Sequence, residues 1–99
     1  MNIKVTAVKF DATEKLHEFI EKKVAKLEKL DADISEVEVR LKVDKPQTNG
    51  NKQASITVEL PKEKLFVEKV EDTFEEAVTS ALLAMEKQVT RYKEKLRGK

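Results

Sequence analysis

Hydrophobic and polar positions along this chain switch between two periods, and the switches mark out its elements. Residues 2–8 alternate, with Ile3, Val5 and Ala7 on one side and Lys4 and Thr6 on the other, which predicts a half-buried strand. The spacing then becomes helical: Leu16, Phe19, Ile20, Val24, Leu27 and Leu30 share one face. Asp11-Ala12-Thr13-Glu14 opens that helix, with Asp11 as N-cap and Glu14 three positions on, and its end is expected near Leu30 to Asp33. Alternation returns with Val37, Val39, Leu41 and Val43 opposed to Glu36, Glu38, Arg40 and Lys42. Lys45 to Asn51 is turn chemistry, its Asn-Gly supplying left-handed positions. A third strand points Ala54, Ile56, Val58 and Leu60 inward, and Pro61, which has no N–H for a ladder, ends it. Lys62-Glu63-Lys64 turns the chain into a fourth strand around Leu65 to Lys69, where Phe66 is out of phase with Leu65 and Val67 and so points to the open face. The last helix follows a Thr73/Glu76 capping box and lines up Phe74, Val78, Ala81, Leu82, Met85, Val89, Tyr92 and Leu96.

Strands with one apolar and one polar face need cover on one side only, and two amphipathic helices supply it. The expected fold is an α+β two-layer sandwich, β-α-β-β-β-α, with a four-stranded mixed sheet and both helices on one face. The helical crossover lets the first strand lie parallel to the second, and short turns make the rest an antiparallel meander. Ninety-nine residues suffice for one such core, so residues 1–99 read as a single domain.

Composition narrows function by exclusion. The chain has no Cys, and hence no disulfide, thiol nucleophile or thiolate metal site. It has no signal-like or membrane-length apolar run, which points to a soluble cytoplasmic protein. His17 stands alone on a helix, the carboxylates are interleaved with lysines, and no phosphate loop, dinucleotide fingerprint or metal-spaced cluster occurs. We therefore expect no enzyme, cofactor, metal or small-molecule substrate.

Charge placement says more than charge content. Lys and Arg number 20 against 19 acids, a net +1, which by itself does not indicate a nucleic-acid partner. In the last helix, however, every charged residue from Glu71 to Glu86 is acidic, and from Lys87 onward Lys87, Arg91, Lys93, Lys95, Arg97 and Lys99 face the single acid Glu94. The helix macrodipole accounts for cations in the final turn but poorly for Lys87 and Arg91. In the first helix Lys15, Lys22, Lys26 and Lys29 fall within about 60° of one another, while Glu14, Glu21 and Glu28 take a separate stripe. Stacked lysines repel, so such a row costs stability unless an anionic partner neutralises it. Two helices side by side would merge these rows into a surface for phosphates. With few aromatics free to stack on bases, structured RNA suits it better than single strands.

Several ordered stretches resemble a known family. They are Asp11-Ala12-Thr13-Glu14-Lys15-Leu16 leading into Lys22-Lys23-Val24-Ala25-Lys26-Leu27-Glu28-Lys29, then Val37 to Val43, Glu71-Asp72-Thr73-Phe74-Glu75-Glu76-Ala77, and Lys87 to Leu96. Together they resemble the ribosome hibernation promoting factor family, also called ribosome-associated inhibitor. The resemblance implies a double-stranded-RNA-binding-domain-like fold with an extra first strand, and a non-enzymatic factor of stressed or stationary-phase bacteria. Such factors bind the small ribosomal subunit and its RNA in the messenger and transfer RNA channel and stop translation. It places Lys23, Lys26 and Lys29 on first-helix basic sites, and Lys87, Arg91, Lys93, Lys95 and Arg97 in the second helix's basic end. With Lys22 from the lysine row, these are the expected RNA-binding residues. The chain looks like a short, tail-less member, or an isolated N-terminal domain. Two other functions remain open on the residues alone: a protein interaction module using Phe66 and the open sheet face, and a nonspecific double-stranded RNA binder.

Overall fold

In the computed structural model, which describes residues 1–30, 33–43 and 50–97, the alternating stretches pair into one sheet. Its strands are β1 (Asn2–Ala7), β2 (Glu36–Val43), β3 (Lys52–Glu59) and β4 (Lys64–Glu71), in the spatial order β1-β2-β3-β4. β1 runs parallel to β2, with Asn2 opposite Glu36 and Ala7 opposite Leu41, as the helical crossover between them permits. β2 with β3 and β3 with β4 are antiparallel. This is the four-stranded mixed sheet with two helices that the pattern predicted.

The helices are α1 (Glu14–Val24), continued by a 3₁₀ segment (Ala25–Leu30), and α2 (Phe74–Arg97). α2 packs over β3 and β4, and α1 lies over β1. Ile20, Val24 and Leu27 from the first helical stretch meet Val37, Val39 and Leu41 and, with Ile56, Val58, Met85 and Val89, are fully buried. Each such side chain contributes roughly 1.5–3 kcal/mol of transfer free energy. The two helices run in the same direction. At their starts Phe10 stacks on Phe74 with ring centroids 5.0 Å apart, and at their ends the Lys93 ammonium donates to the Leu30 carbonyl.

The structure revises the sequence reading at four places. The N-cap of α1 is Thr13 rather than Asp11: the Thr13 hydroxyl accepts from the Leu16 N–H at 3.1 Å, and the helix starts two residues later, at Glu14. The helix expected to run evenly to Leu30 tightens after Val24 into 3₁₀ turns, which bring Val24, Leu27 and Leu30 into line every third residue. β4 is longer than Leu65 to Lys69, reaching Glu71. Leu96, placed on the core face by its phase, is 59% exposed. The reason is length: 24 residues of helix span about 36 Å, whereas an eight-residue strand spans about 26 Å, so the helix outruns the sheet it covers.

The connections tie the layers together. Gly50 adopts φ +64°, the left-handed conformation its Asn-Gly signal predicted, and its N–H donates to Asp72 Oδ1 at 2.8 Å. That bond joins the β2–β3 connection to the turn before α2. Residues 45–49 of the expected turn lie outside the described residues. Thr73 caps α2 as its box predicted, accepting from the Glu76 N–H at 3.1 Å.

Candidate nucleic-acid interface

The change of helix type reorganises the first lysine row. At about 100° per residue Lys22 lines up with Lys26 and Lys29, but a 3₁₀ segment advances about 120° and eclipses residues three apart. Lys26 and Lys29 therefore stand in register, Lys23 continues their line into α1, and Lys22 and Lys15 stand to one flank. Lys22, Lys26 and Lys29 are exposed; Lys23 is half-buried, with its ammonium 5.5 Å from the centroid of the Phe19 ring. The acids Glu14, Glu21 and Glu28 take the opposite flank: Glu28, in the 3₁₀ segment, reaches the Met1 ammonium at 3.9 Å, which turns that stripe toward the β1 edge of the sheet.

On α2, Lys87, Arg91 and Lys95 are exposed and recur every fourth residue, giving a row about 12 Å long. Arg91 stands on the ridge between two grooves. One is lined by Leu30, Leu83, Glu86, Lys87, Thr90 and Glu94. The other is lined by Glu63 and Leu65 of the β3–β4 hairpin and by Gln88, Tyr92 and Lys95. Tyr92 is a core residue whose buried hydroxyl has no hydrogen-bond partner among the described residues, an unspent polar group beside Arg91 and Lys95.

Lys93 differs from the other cations. It lies on the α1 side of α2, is half-buried, and donates to the last carbonyl of the 3₁₀ segment, one of the orphan acceptors a helix end leaves. It holds the two helix ends together, a bond of which the sequence gave no hint. Arg97 closes α2, and its side chain lies outside the described residues. Lys22, Lys26, Lys29, Lys87, Arg91 and Lys95, by contrast, have no ion pair or hydrogen bond among the described residues. The Phe19–Lys23 contact was findable in the sequence, since residues four apart on a helix are neighbours. The Lys93–Leu30 bond was not, because it joins residues 63 positions apart.

The other face offers less to a phosphate backbone. On the open sheet Lys4, Glu38, Thr57 and Phe66 form one cross-strand row, and Thr6, Arg40, Ser55 and Glu68 the next. Phe66 is 56% exposed there, as its phase predicted. His17 is half-buried and its imidazole makes no hydrogen bond among the described residues, which also contain no cluster of His or acids able to hold a metal. None of their helices is long and apolar enough to cross a membrane.

Residues 3–97 match the family described as sigma 54 modulation protein / S30EA ribosomal protein. The chain belongs to that family. Among solved structures it is similar to the Protein Y N-terminal domain of Thermus thermophilus, at 29% identity and a TM-score of 0.79, over 93% of this chain and 99% of that one. A ribosomal subunit interface protein from Coxiella burnetii shares the fold at 24% identity and a TM-score of 0.79, over 94% of this chain and 98% of that one. A comparison with curated proteins gives no match.

Proposed function

We propose that this chain is a ribosome hibernation factor, a translation regulator that binds the small ribosomal subunit through ribosomal RNA. It acts in the cytoplasm of stressed or stationary-phase cells and occupies the channel used by messenger and transfer RNAs. The observation that carries this reading is the set of cations on the helix layer with no ion pair among the described residues, in a member of a ribosomal protein family. Lys26, Lys29, Lys87, Arg91 and Lys95 supply phosphate contacts, which give affinity and position without reading sequence. Lys22 and Lys23 extend that surface along α1, and Arg97 extends it past the last turn of α2. Lys93 serves from within, by fixing the spacing of the two rows. The work is binding rather than catalysis.

The test is co-sedimentation with purified small subunits across a salt series, beside a plain RNA duplex of matched length. Binding to the subunit that falls steeply with salt, and exceeds binding to the duplex, is the expected result. Equal affinity for both would make the chain a general duplex binder. A salt-insensitive complex with a protein and no RNA would move the function to the open sheet.

A further inference from the structure

From the β4 edge we infer that this chain associates with a second copy of itself, β4 against β4, in one defined register. β4 is an outer strand eight residues long, with no described element beside it. Such an edge presents unpaired main-chain groups, and soluble proteins commonly blunt it with charge, Pro or a bulge. Here the charges do not blunt it: Lys64 and Glu68, which meet Glu59 and Gln53 within the chain and remain exposed, complement those of a copy.

At the β3–β4 turn the Leu60 N–H donates to the Glu63 carbonyl at 2.9 Å. The alternation of an antiparallel ladder then directs the main-chain groups of Glu63, Leu65 and Val67 toward β3 and leaves those of Lys64, Phe66 and Glu68 at the free edge. The sequence from Glu63 to Lys69 is Glu-Lys-Leu-Phe-Val-Glu-Lys, and it is antisymmetric in charge about Phe66. Placing a two-fold axis at Phe66 sets Phe66 against Phe66, Lys64 against Glu68 and Glu63 against Lys69, each charged pair occurring twice. It also joins the edge groups of Lys64, Phe66 and Glu68 to those of the copy. A closed two-fold pairing of this kind is the commonest dimer geometry.

Neighbouring registers that keep each face of the sheet continuous fit less well: an axis at Leu65 sets Phe66 against Lys64 and brings Glu68 only to Lys62, in the turn before the strand. An axis at Val67 sets Phe66 against Glu68 and Lys64 against Val70, with no charge pair. An axis at Glu68 sets that carboxylate against its own copy. The opposite edge, β1, offers itself one lysine, Lys4, and no acid. α2 adds to the case: it runs back over β4, so the axis at Phe66 also sets the acidic first half of one α2 beside the cationic second half of the other. The charge reversal of that helix is then complementary to itself in the same sense as the strand. The result is an eight-stranded sheet with all four helices on one face.

Sedimentation equilibrium on the full chain, over concentrations rising to the millimolar range, tests this. The wild type should pass from monomer to dimer. Glu68→Lys sets two lysines together at both ends of the seam, and Lys64→Glu does the same with carboxylates; each should weaken the dimer about tenfold. The exchange of both residues restores the pairs with signs reversed and should return the dissociation constant to within about threefold of wild type. Both positions are exposed, and circular dichroism checks that each variant is folded. A wild type that stays monomeric overturns the proposal, as does a dimer that the single changes do not weaken or the double change does not restore.

Discussion

Both faces of this sandwich carry charged residues of either sign and use them differently. On the open sheet the signs alternate across strands: Lys4 faces Glu38, Lys64 meets Glu59 at 3.1 Å, and Glu68 accepts from the Gln53 amide. On the helix layer the signs are sorted, with acids along the β1 edge and the start of α2, and with cations in rows that have no described ion pair. Exposed alternating pairs are worth at most about 1 kcal/mol each and find partners within the chain, those on the β4 edge keeping a side open to a copy. Sorted rows repel internally and gain only when something anionic arrives. A net charge of +1 conceals this, because it averages a self-sufficient face with an incomplete one.

The largest expected effect comes from breaking the sorted row. Reversing Lys87, Arg91 and Lys95 to Glu should lower affinity for the small subunit by a few hundredfold near 0.1 M salt, and reduce the salt slope by about three, because each phosphate contact carries nearly one unit of that slope. All three side chains are exposed, so thermal unfolding should move by only a few degrees. Binding titrations at several salt concentrations give both quantities.

Lys93→Met sharpens the comparison from within the helix layer. It keeps most of the apolar stem and removes a charge-assisted bond to the Leu30 carbonyl, so stability should fall by about 2 kcal/mol. Denaturant unfolding measures that loss. The salt slope of the folded protein should change far less than with Arg91→Glu, which separates a cation that positions the rows from one proposed to meet RNA.

Which parts of this were legible in the sequence follows from the range of the interactions. The sheet order, the inward faces and the exposure of Phe66 rest on period-two alternation and short turns, both local. The Thr73 cap and the Gly50 conformation were equally readable, since each depends on a handful of adjacent residues. The 3₁₀ segment was not, because Val24, Leu27 and Leu30 satisfy helical spacing on either count and only packing beneath them decides. That one change moved Lys22 off the row and brought Lys23 onto it. Leu96 was misplaced because helical phase reports direction but not whether a sheet still lies below. Lys93 could be assigned to the basic end of α2, but its bond to Leu30 depends on how the helix ends meet.

Thr73→Ala tests the docked half of α2 without touching the cationic half. Loss of the bond to the Glu76 N–H should cost about 1 kcal/mol, or roughly 4–8 °C in Tm for a domain of this size. Below the transition, ribosome binding should be unchanged. A parallel loss of affinity would mean that the acidic start of the helix also takes part in the interface.

The smallest effect is expected from a matched reversal on the other face, and it bears most directly on the difference between them. Lys4, Arg40 and Lys42 point outward from β1 and β2 and are exposed. Changing all three to Glu moves the net charge by the same amount as the α2 reversal, from +1 to −5. If long-range attraction by the whole molecule governed binding, the two trios would weaken it equally, and the loss would vanish at high salt in both. If the helix rows touch phosphate, the sheet trio should lower affinity by less than about threefold at physiological salt and leave the salt slope nearly as it was. Its cost should appear in stability, by about 1 kcal/mol, because Lys4 loses Glu38 as a cross-strand partner and Arg40, on β2 between β1 and β3, shares its cross-strand row with Glu68. A sheet trio that weakens binding as much as the helix trio would remove the distinction between the faces, and with it the assignment of the cations on α2.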